Sequence, residues 1–231
     1  EKNQYTGMFK GKNLILLTAE GFSPYAIDQE LTPTLYKLTH EGFVFNNFYQ
    51  PDWTQSTCGG EFAVTTGVIP SWVKSEYGNL AAQASIEKSM PLTLAKLFAA
   101  QGYVVPAFHD HTYTYYHRDE YLGNFGYDYK GIGNGLEMTE SVSKKLWPES
   151  DLEMMEETVD GYIDDYVQNG QPFHAYYMTV SGHGYYSWGG NDMSQKHREA
   201  VEAKYPDLSE TSQAYLACNI ELDLALEHLV D

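Results

Sequence analysis

The sequence is poor in cysteine and in basic residues, and it has no long apolar run. Its two cysteines, Cys58 and Cys218, are far apart and form neither a zinc-ligand spacing nor a disulfide framework. Lysine and arginine total 14 against 32 aspartates and glutamates, so the formal charge is −18 and the surface repels nucleic acid. No apolar stretch approaches about 20 residues, the length that a bilayer-spanning helix needs. We therefore expect no nucleic-acid partner and no membrane span within these residues.

Aromatic residues make up 15% of the chain, which indicates a packed core despite the high charge. The length of 231 residues suits one large α/β domain. No internal repeat, low-complexity tract or dividing linker is visible. The sequence therefore predicts a single domain over residues 1–231.

Apolar strand-like runs alternate with helical patterns along the chain. The predicted strands are Asn13–Ala19, Phe43–Tyr49, Tyr103–Phe108 and Phe173–Val180. The predicted helices are Thr32–Glu41, Pro91–Ala100, His117–Asn124, Asp151–Gln168 and Leu208–Val230. This alternation favours crossover connections, and so a three-layer α/β sandwich with a mostly parallel central sheet. The polar stretch Tyr185–Pro206 is predicted to be a surface excursion over the site.

The stretch Pro51–Gly67 runs from a loop into a helix, and Thr57 lies at the transition. A hydroxyl at this position is an ordinary N-cap. A helix start also concentrates free N–H groups and the positive end of the helix dipole, which suits a phosphate or sulfate group. Gly59 and Gly60 leave the backbone open to a ligand. The stretch alone is compatible with either role.

Polar residues follow the predicted strands at the edge where open α/β sheets bind ligands. They are Glu20, Thr57, His109, His111 and His183. A metal bound partly by Glu20 would lower the pKa of the Thr57 hydroxyl and make it a nucleophile for phosphoryl or sulfuryl transfer. The helix start would stabilise the developing charge. Arg118 and the histidines would hold the non-bridging oxygens of the transferred group.

Each of these residues also has a structural explanation. Glu20 is compatible with a solvated carboxylate, and Arg118 with a local ion pair to Asp119 or Glu120. Cys58 at a helix start would have the lowered pKa of a thiol nucleophile. No His–Asn arrangement serves it, so this role ranks low.

Several motifs occur in the order found in one enzyme family. They are a strand ending in Glu20, Thr57-Cys58-Gly59-Gly60-Glu61-Phe62, Phe108-His109, Tyr116-His117-Arg118, Phe125-Gly126-Tyr127-Asp128, Thr179-Val180-Ser181-Gly182-His183, and the helix Cys218–Asp231. From about Asn13 onward the chain resembles the lipoteichoic acid synthase family. These bacterial phosphoglycerol transferases belong to the sulfatase-like branch of the alkaline phosphatase superfamily.

The resemblance implies specific roles. Thr57 would be the nucleophile and a metal ligand, and Glu20 would be a second metal ligand. The substrate would be bound by His109, His111, Tyr116, Arg118 and His183. The reaction would transfer glycerol phosphate from a phosphatidylglycerol-type lipid through a phospho-threonine intermediate in cell-envelope polymer synthesis. The domain would lie on the extracellular face of a bacterial membrane, anchored by an upstream segment.

Two features depart from the family pattern. The family tends to have Asp two residues after the first substrate histidine, whereas this chain has His111 there and Asp110 one place earlier. The family's remaining metal ligands are an Asp-His pair after the final helix, and no such pair follows here. We therefore expect a sulfatase-like catalytic domain that is incomplete at its C-terminus, binds metal weakly and turns over little by itself. Oxygen ligands favour manganese or magnesium over zinc.

Two other functions stay open. A phosphodiesterase or sulfatase-type hydrolase of the same superfamily would share the nucleophile, although Cys58 lacks the following Pro and Arg from which sulfatases are recognised. A non-catalytic binding fragment would agree with the missing Asp-His pair. The product of the reaction separates transfer from hydrolysis.

Overall fold

The structure, a computed structural model, describes residues 2–49 and 56–231. Its strands are β1 (Leu14–Thr18), β2 (Pro106–Thr112), β3 (Asp128–Ile132), β4 (Gly135–Leu136) and β5 (His174–Met178). They form one five-stranded sheet in the order β1-β5-β2-β3-β4. Every pairing in it is parallel, and β5 lies between β1 and β2. The carboxyl ends of the strands therefore meet at one edge, as the sequence predicts.

The helices connect and cover these strands. In chain order they are α1 (Pro33–Glu41), α2 (Ser56–Thr66), α3 (Ala81–Ala84), α4 (Leu94–Ala99), α5 (Arg118–Phe125), α6 (Thr139–Lys144), α7 (Asp151–Asn169), α8 (Asp192–Lys196), α9 (Arg198–Lys204) and α10 (Glu210–Val230). Two short 3-10 helices cover Pro24–Ala26 and Tyr115–His117. Among the described residues, no helix combines the length and apolar character that a membrane span requires.

The core has two main parts, one on each face of the sheet. On one face, Tyr176 of β5 packs with α2 and α5 through Phe62 and Phe125. On the other, Tyr177 packs with α7 and α10, where it joins Met154 and Ala225. Neighbouring residues of a strand point to opposite faces, so one fully buried strand supplies both halves of the core. The expected three-layer α/β sandwich is confirmed.

The predicted strand over Phe43–Tyr49 is wrong. This stretch carries no strand in the structure, and it turns at Asn46 and Asn47. Its large aromatic side chains are mostly exposed, and Phe43 contacts the rings of Tyr5 and Phe9 edge-on. An aromatic-rich run forms a strand only where a partner strand is available and one face of the run becomes buried. Neither is provided here by the described residues.

The third predicted strand begins and ends later than expected. It was predicted over Tyr103–Phe108, whereas β2 covers Pro106–Thr112 and so includes the residues His109 to His111. Val104 makes only an isolated bridge to Phe173. Strands β3 and β4 are absent from the prediction, because Asp, Lys and Gly residues disfavour strands and conceal the alternating pattern.

The stretch Tyr185–Pro206, predicted as a surface excursion over the site, is helical in part. This stretch contains α8 and α9, and the Asn191 side chain caps α8 by accepting the Ser194 N–H at 2.8 Å. Met193 and Val201 are buried, which explains why the polar-looking stretch is ordered. The five predicted helices are confirmed, although α4 is shorter than predicted at its N-terminal end.

We expect the substitution Met154→Ala to test the packing of α7. Met154 is fully buried, so truncation leaves a cavity and lowers the free energy of unfolding by about 2–5 kcal/mol. Val167→Ala on the same helix is the control, because Val167 is 73% exposed and its loss changes stability by less than about 0.5 kcal/mol. Urea unfolding followed by circular dichroism measures both. Equal effects of the two substitutions would contradict the packing of α7 on the sheet.

Candidate active site

Thr57 and Glu20 meet at the carboxyl edge of the sheet. The Thr57 hydroxyl donates a hydrogen bond to Glu20 Oε2 at 2.8 Å. Glu20 is the second residue after β1, and its backbone N–H donates to Thr179 Oγ1 at 3.0 Å, just beyond β5. The two residues come from sequence positions 37 apart, and the sheet and α2 bring them together. The structure therefore contains the pair on which the sequence interpretation depends.

A close approach of two backbone segments fixes Glu20. Gly21 has a φ of +65°, in the left-handed region that favours glycine. A Cβ at Gly21 would collide with the carbonyl oxygen of Gly182, and a Cβ at Gly182 would collide with that of Glu20. The loops after β1 and β5 therefore touch through backbone, and only glycine allows this contact.

Thr57 lies inside the first turn of α2, which begins at Ser56. Its hydroxyl donates to Glu20, so its position differs from that of the predicted N-cap. The preceding loop residues, 51–55, lie outside the described part of the chain. The first turn of a helix has unpaired N–H groups and the positive end of the dipole, so an anionic group next to the Thr57 oxygen would be stabilised there.

His109 is buried in β2 and held in one tautomer. Its Nδ1 lies 2.9 Å from the carbonyl oxygen of Met178, which only accepts, so the proton is on Nδ1. Burial lowers the pKa of His109 well below its ordinary value, and the nearby charges of Arg118, His111 and His183 lower it further. The ring is neutral at physiological pH, and its Nε2 is a hydrogen-bond acceptor.

Trp147 joins His111 to His183. Its ring centroid lies 5.3 Å from that of His111 and 5.7 Å from that of His183, and both contacts are edge-on. His111 Nδ1 also lies 3.2 Å from Glu149 Oε1. Buried Nδ1 of His183 has no hydrogen-bond partner in the described chain, although a buried polar nitrogen normally has one. It is therefore suited to receive a polar ligand.

The sequence interpretation missed Trp147 and Glu149. They precede α7 in a Trp-Pro-Glu segment that carries no catalytic motif. Only the packing of this segment against the ends of β2 and β5 brings it to the histidines. No signal in the single sequence identified it.

Arg118 forms a buried ion pair, but with a different partner from either one predicted. Its Nε lies 3.1 Å from Glu61 Oε2, and both side chains are almost completely buried. Burial opposes the charge on Arg118, yet the Glu61 carboxylate raises the pKa of the guanidinium well above its ordinary value. The hydroxyls of Tyr121 and Tyr176 also donate to Glu61. The predicted pairing with Asp119 or Glu120 is therefore wrong.

Tyr116 lies beside Arg118, with the guanidinium carbon 5.6 Å from its ring centre. Tyr116 has a φ of 60° and is partly exposed, so its ring is available at the surface of the site. Arg118 Nη1 donates to the Tyr115 carbonyl at 3.4 Å. Substrate binding by Tyr116 and Arg118 stays a prediction.

Cys58 is unsuited to be a nucleophile. Its side chain is buried, and burial raises the pKa of the thiol to about 12. A thiol with this pKa carries almost no thiolate at neutral pH. The low rank that the sequence analysis gave to Cys58 agrees with its position.

The described residues supply only part of a metal site. Glu20 and Thr57 offer two oxygen atoms 2.8 Å apart, close to the spacing of about 3 Å between adjacent ligands of an octahedral magnesium ion. Within residues 2–49 and 56–231, no three His, Cys, Asp or Glu side chains are grouped so that they could hold a metal. The pair therefore agrees with the chemistry of a hard divalent cation but does not complete its coordination.

We expect Glu61→Gln to destabilise the protein strongly. The change leaves the buried Arg118 charge without its carboxylate and lowers the free energy of unfolding by about 3–5 kcal/mol. Glu120→Gln is the control, because Glu120 is partly exposed and pairs with His117 on the surface. Loss of this pair lowers the free energy of unfolding by less than about 1 kcal/mol. Urea unfolding of both variants gives the comparison. A loss of under about 1 kcal/mol in Glu61→Gln would contradict the buried pair.

Comparisons with known proteins agree with this geometry. A sequence model of the sulfatase family matches residues 12–231. The chain is 28% identical over 188 residues to lipoteichoic acid synthase 2 of Bacillus subtilis (strain 168), which covers 78% of this chain. The lipoteichoic acid synthase LtaP from Listeria monocytogenes has the same fold, with a TM-score of 0.77, 22% identity and 98% of this chain covered. A protein of the alkaline phosphatase superfamily from Vibrio parahaemolyticus gives a TM-score of 0.64 at 20% identity over 94% of this chain.

The chain spans only part of these relatives. It covers 27% of the Bacillus protein, 53% of the Listeria chain and 50% of the Vibrio chain. The family model nevertheless matches nearly all residues of this chain, including every strand of the sheet. The motifs, the fold and the comparisons lead to one assignment: the chain belongs to the sulfatase family and is homologous to the lipoteichoic acid synthases.

Proposed function

We propose that this chain is the nucleophile-bearing part of a metal-dependent phosphoglycerol transferase that acts on a phosphatidylglycerol-type lipid. The observation that carries the proposal is the hydrogen bond from Thr57 to Glu20 in the first turn of α2. This arrangement places the Thr57 hydroxyl next to the Glu20 carboxylate and at the positive end of the α2 helix dipole. The names of the similar synthases support the polymer, lipoteichoic acid, as the product class.

In the proposed reaction the Thr57 oxygen attacks the phosphorus of the lipid's phosphodiester. The bond from phosphorus to the diacylglycerol oxygen breaks, and diacylglycerol leaves with a proton. The glycerol phosphate is then an ester of Thr57. An acceptor hydroxyl attacks the same phosphorus, loses its proton, and releases Thr57 as an alcohol.

Glu20 and Thr57 are the proposed metal ligands, and manganese or magnesium is the proposed ion. Such an ion would lower the pKa of the Thr57 hydroxyl and offset negative charge on the phosphate. The α2 helix start contributes in the same direction, because its N–H groups are positive. In the structure the Glu20 carboxylate accepts the hydrogen bond of the Thr57 hydroxyl.

Substrate binding is proposed for His109, His111, Tyr116, Arg118 and His183. His183 has an unpartnered buried Nδ1 that can meet a phosphate or hydroxyl oxygen. His109 presents Nε2 as an acceptor, which suits a glycerol hydroxyl. Such lipids lie in membranes, so we also propose an extracellular position at a bacterial membrane, with anchoring by a segment outside these residues.

The test is the fate of Thr57 in the natural full-length protein. With phosphatidylglycerol labelled in its glycerol phosphate, Thr57→Val lowers the transfer rate by at least about 10³-fold, because it removes the nucleophile and keeps the side-chain shape. Acid quenching followed by mass spectrometry detects glycerol phosphate on Thr57 in the unchanged protein and none in the variant.

Thr57→Ser is the matched control, because it keeps the hydroxyl, and it retains measurable transfer and labelling. Label released as free glycerol phosphate would assign hydrolysis instead of transfer. Full activity in Thr57→Val would remove Thr57 from the mechanism.

A further inference from the structure

Two fully buried carboxyl groups face each other beside the candidate site. Asp110 lies in β2 between His109 and His111, and Asp151 is the first residue of α7. Both side chains have no exposed surface, and the two carboxyls lie within hydrogen-bonding distance. Neither Asp110 oxygen, nor Oδ2 of Asp151, has a hydrogen-bond donor among the described residues.

Two carboxylates in this arrangement cannot both be ionised. Like charges in a buried site repel strongly, and each carboxylate loses its hydration. A single proton removes both difficulties, because the protonated carboxyl becomes a donor to the other. A cation would be the other way to neutralise the pair, but no three suitable side chains converge in the described part of the chain.

Asp151 is the ionised member. Its Oδ1 accepts the backbone N–H groups of Val180 at 2.8 Å and Ser181 at 3.1 Å. Such bonds favour the charged form, so the proton resides on Asp110. Burial raises the pKa of Asp110 well above its ordinary value, and the charge of Asp151 raises it further.

The pair connects two segments of the site. Asp110 is part of the strand that carries His109 and His111. Asp151 holds the turn in which the His183 N–H donates to the Val180 carbonyl at 2.8 Å. We propose that Asp110 and Asp151 share one proton, and that this proton holds β2 against the Val180–Ser181 segment and so sets the position of His183 relative to the histidines of β2. Both are positioning residues, and this role in the site rests on the proposed function.

The titratable groups around the pair favour retention of the proton. They come from β2, from the segment before α7 and from α10, and they are His109, Glu149, Glu221 and the Cys218 thiol. His109 Nδ1 lies 3.5 Å from Asp110 Oδ1, but the ring is neutral and its N–H is directed to Met178. Hydrogen bonds from His197, Ser150 and Lys196 overcome the effect of burial and lower the pKa of Glu221, which is therefore negative. Lys196 is positive, but its Nζ pairs with Glu221 at 2.9 Å. Within residues 2–49 and 56–231, no Lys or Arg side chain pairs with Asp110 or Asp151 to replace the proton.

The consequence for stability has a definite sign. An unfolded aspartate loses its proton near pH 3.8, whereas folded Asp110 keeps it to higher pH. Folding therefore takes up a proton, and stability is greatest below the unfolded pKa. It is lost as the pH rises toward the folded pKa. In this window the folding equilibrium constant falls by up to about tenfold for each pH unit.

The test compares the whole chain with Asp110→Asn, whose amide donates the same hydrogen bond at every pH. Urea unfolding between about pH 5 and pH 8 shows the stability of the unchanged protein falling relative to that of the variant, by up to about tenfold in equilibrium constant per pH unit. Asp128→Asn on neighbouring β3 is the control, because Asp128 is largely exposed and its change leaves the pH slope as it was. Amide exchange at Val180 and Ser181 shows the same contrast and requires no enzymatic activity.

Two results would overturn the proposal. One is a constant difference between the protein and Asp110→Asn at every pH, which would mean that no proton is shared. The other is recovery of stability at high pH on addition of calcium, which would show that a cation holds the pair.

If Asp110→Asn does not fold, Asp151→Asn is the second variant, since its amide can accept the two backbone N–H groups and donate to Asp110. A failed Thr57 test leaves each of these outcomes unchanged.

Discussion

The buried carboxylate of Glu61 holds the site together. It lies in the helix that carries Thr57, and it binds Arg118 of α5 and the hydroxyls of Tyr121 and Tyr176. One charged group thus joins α2 to α5 and to the interior strand β5. Desolvating such a pair opposes folding unless hydrogen bonds surround it, and here they do. The position of Thr57 depends on this contact because it holds α2 against α5 and the sheet.

The sequence predicted the outline of the fold because the long apolar and amphipathic segments are strongly patterned. The strands Leu14–Thr18 and His174–Met178 lie where expected. Helix α7 ends one residue later than predicted, and α10 begins two residues later. The segment over 43–49 was predicted incorrectly because strand propensity cannot show whether a partner strand exists. The short strand Asp128–Ile132 was missed because it is polar at alternate positions and contains glycine.

Within the candidate site, Thr57 was predictable from its motif alone, because residues 43–49 form no strand before α2. Glu20 and the histidines were predictable from the rule that a parallel sheet gathers the carboxyl ends of its strands at one edge. Trp147, Glu149 and the partner of Arg118 do not follow from it. Each depends on which loop or helix covers the edge, and that is decided by packing between segments distant in sequence. The unusual order Asp110-His111 was visible in the sequence, but its meaning required the position of Asp151.

The contact between Gly21 and Gly182 has a mechanical consequence. The loops after β1 and β5 touch through backbone atoms, and no flexible side chain lies between them that could adjust to a displacement. A shift of the turn that carries His183 is therefore passed to the backbone of Glu20 almost undiminished. The backbone segments that carry Glu20 and His183 are therefore coupled through peptide groups, without an intervening side chain.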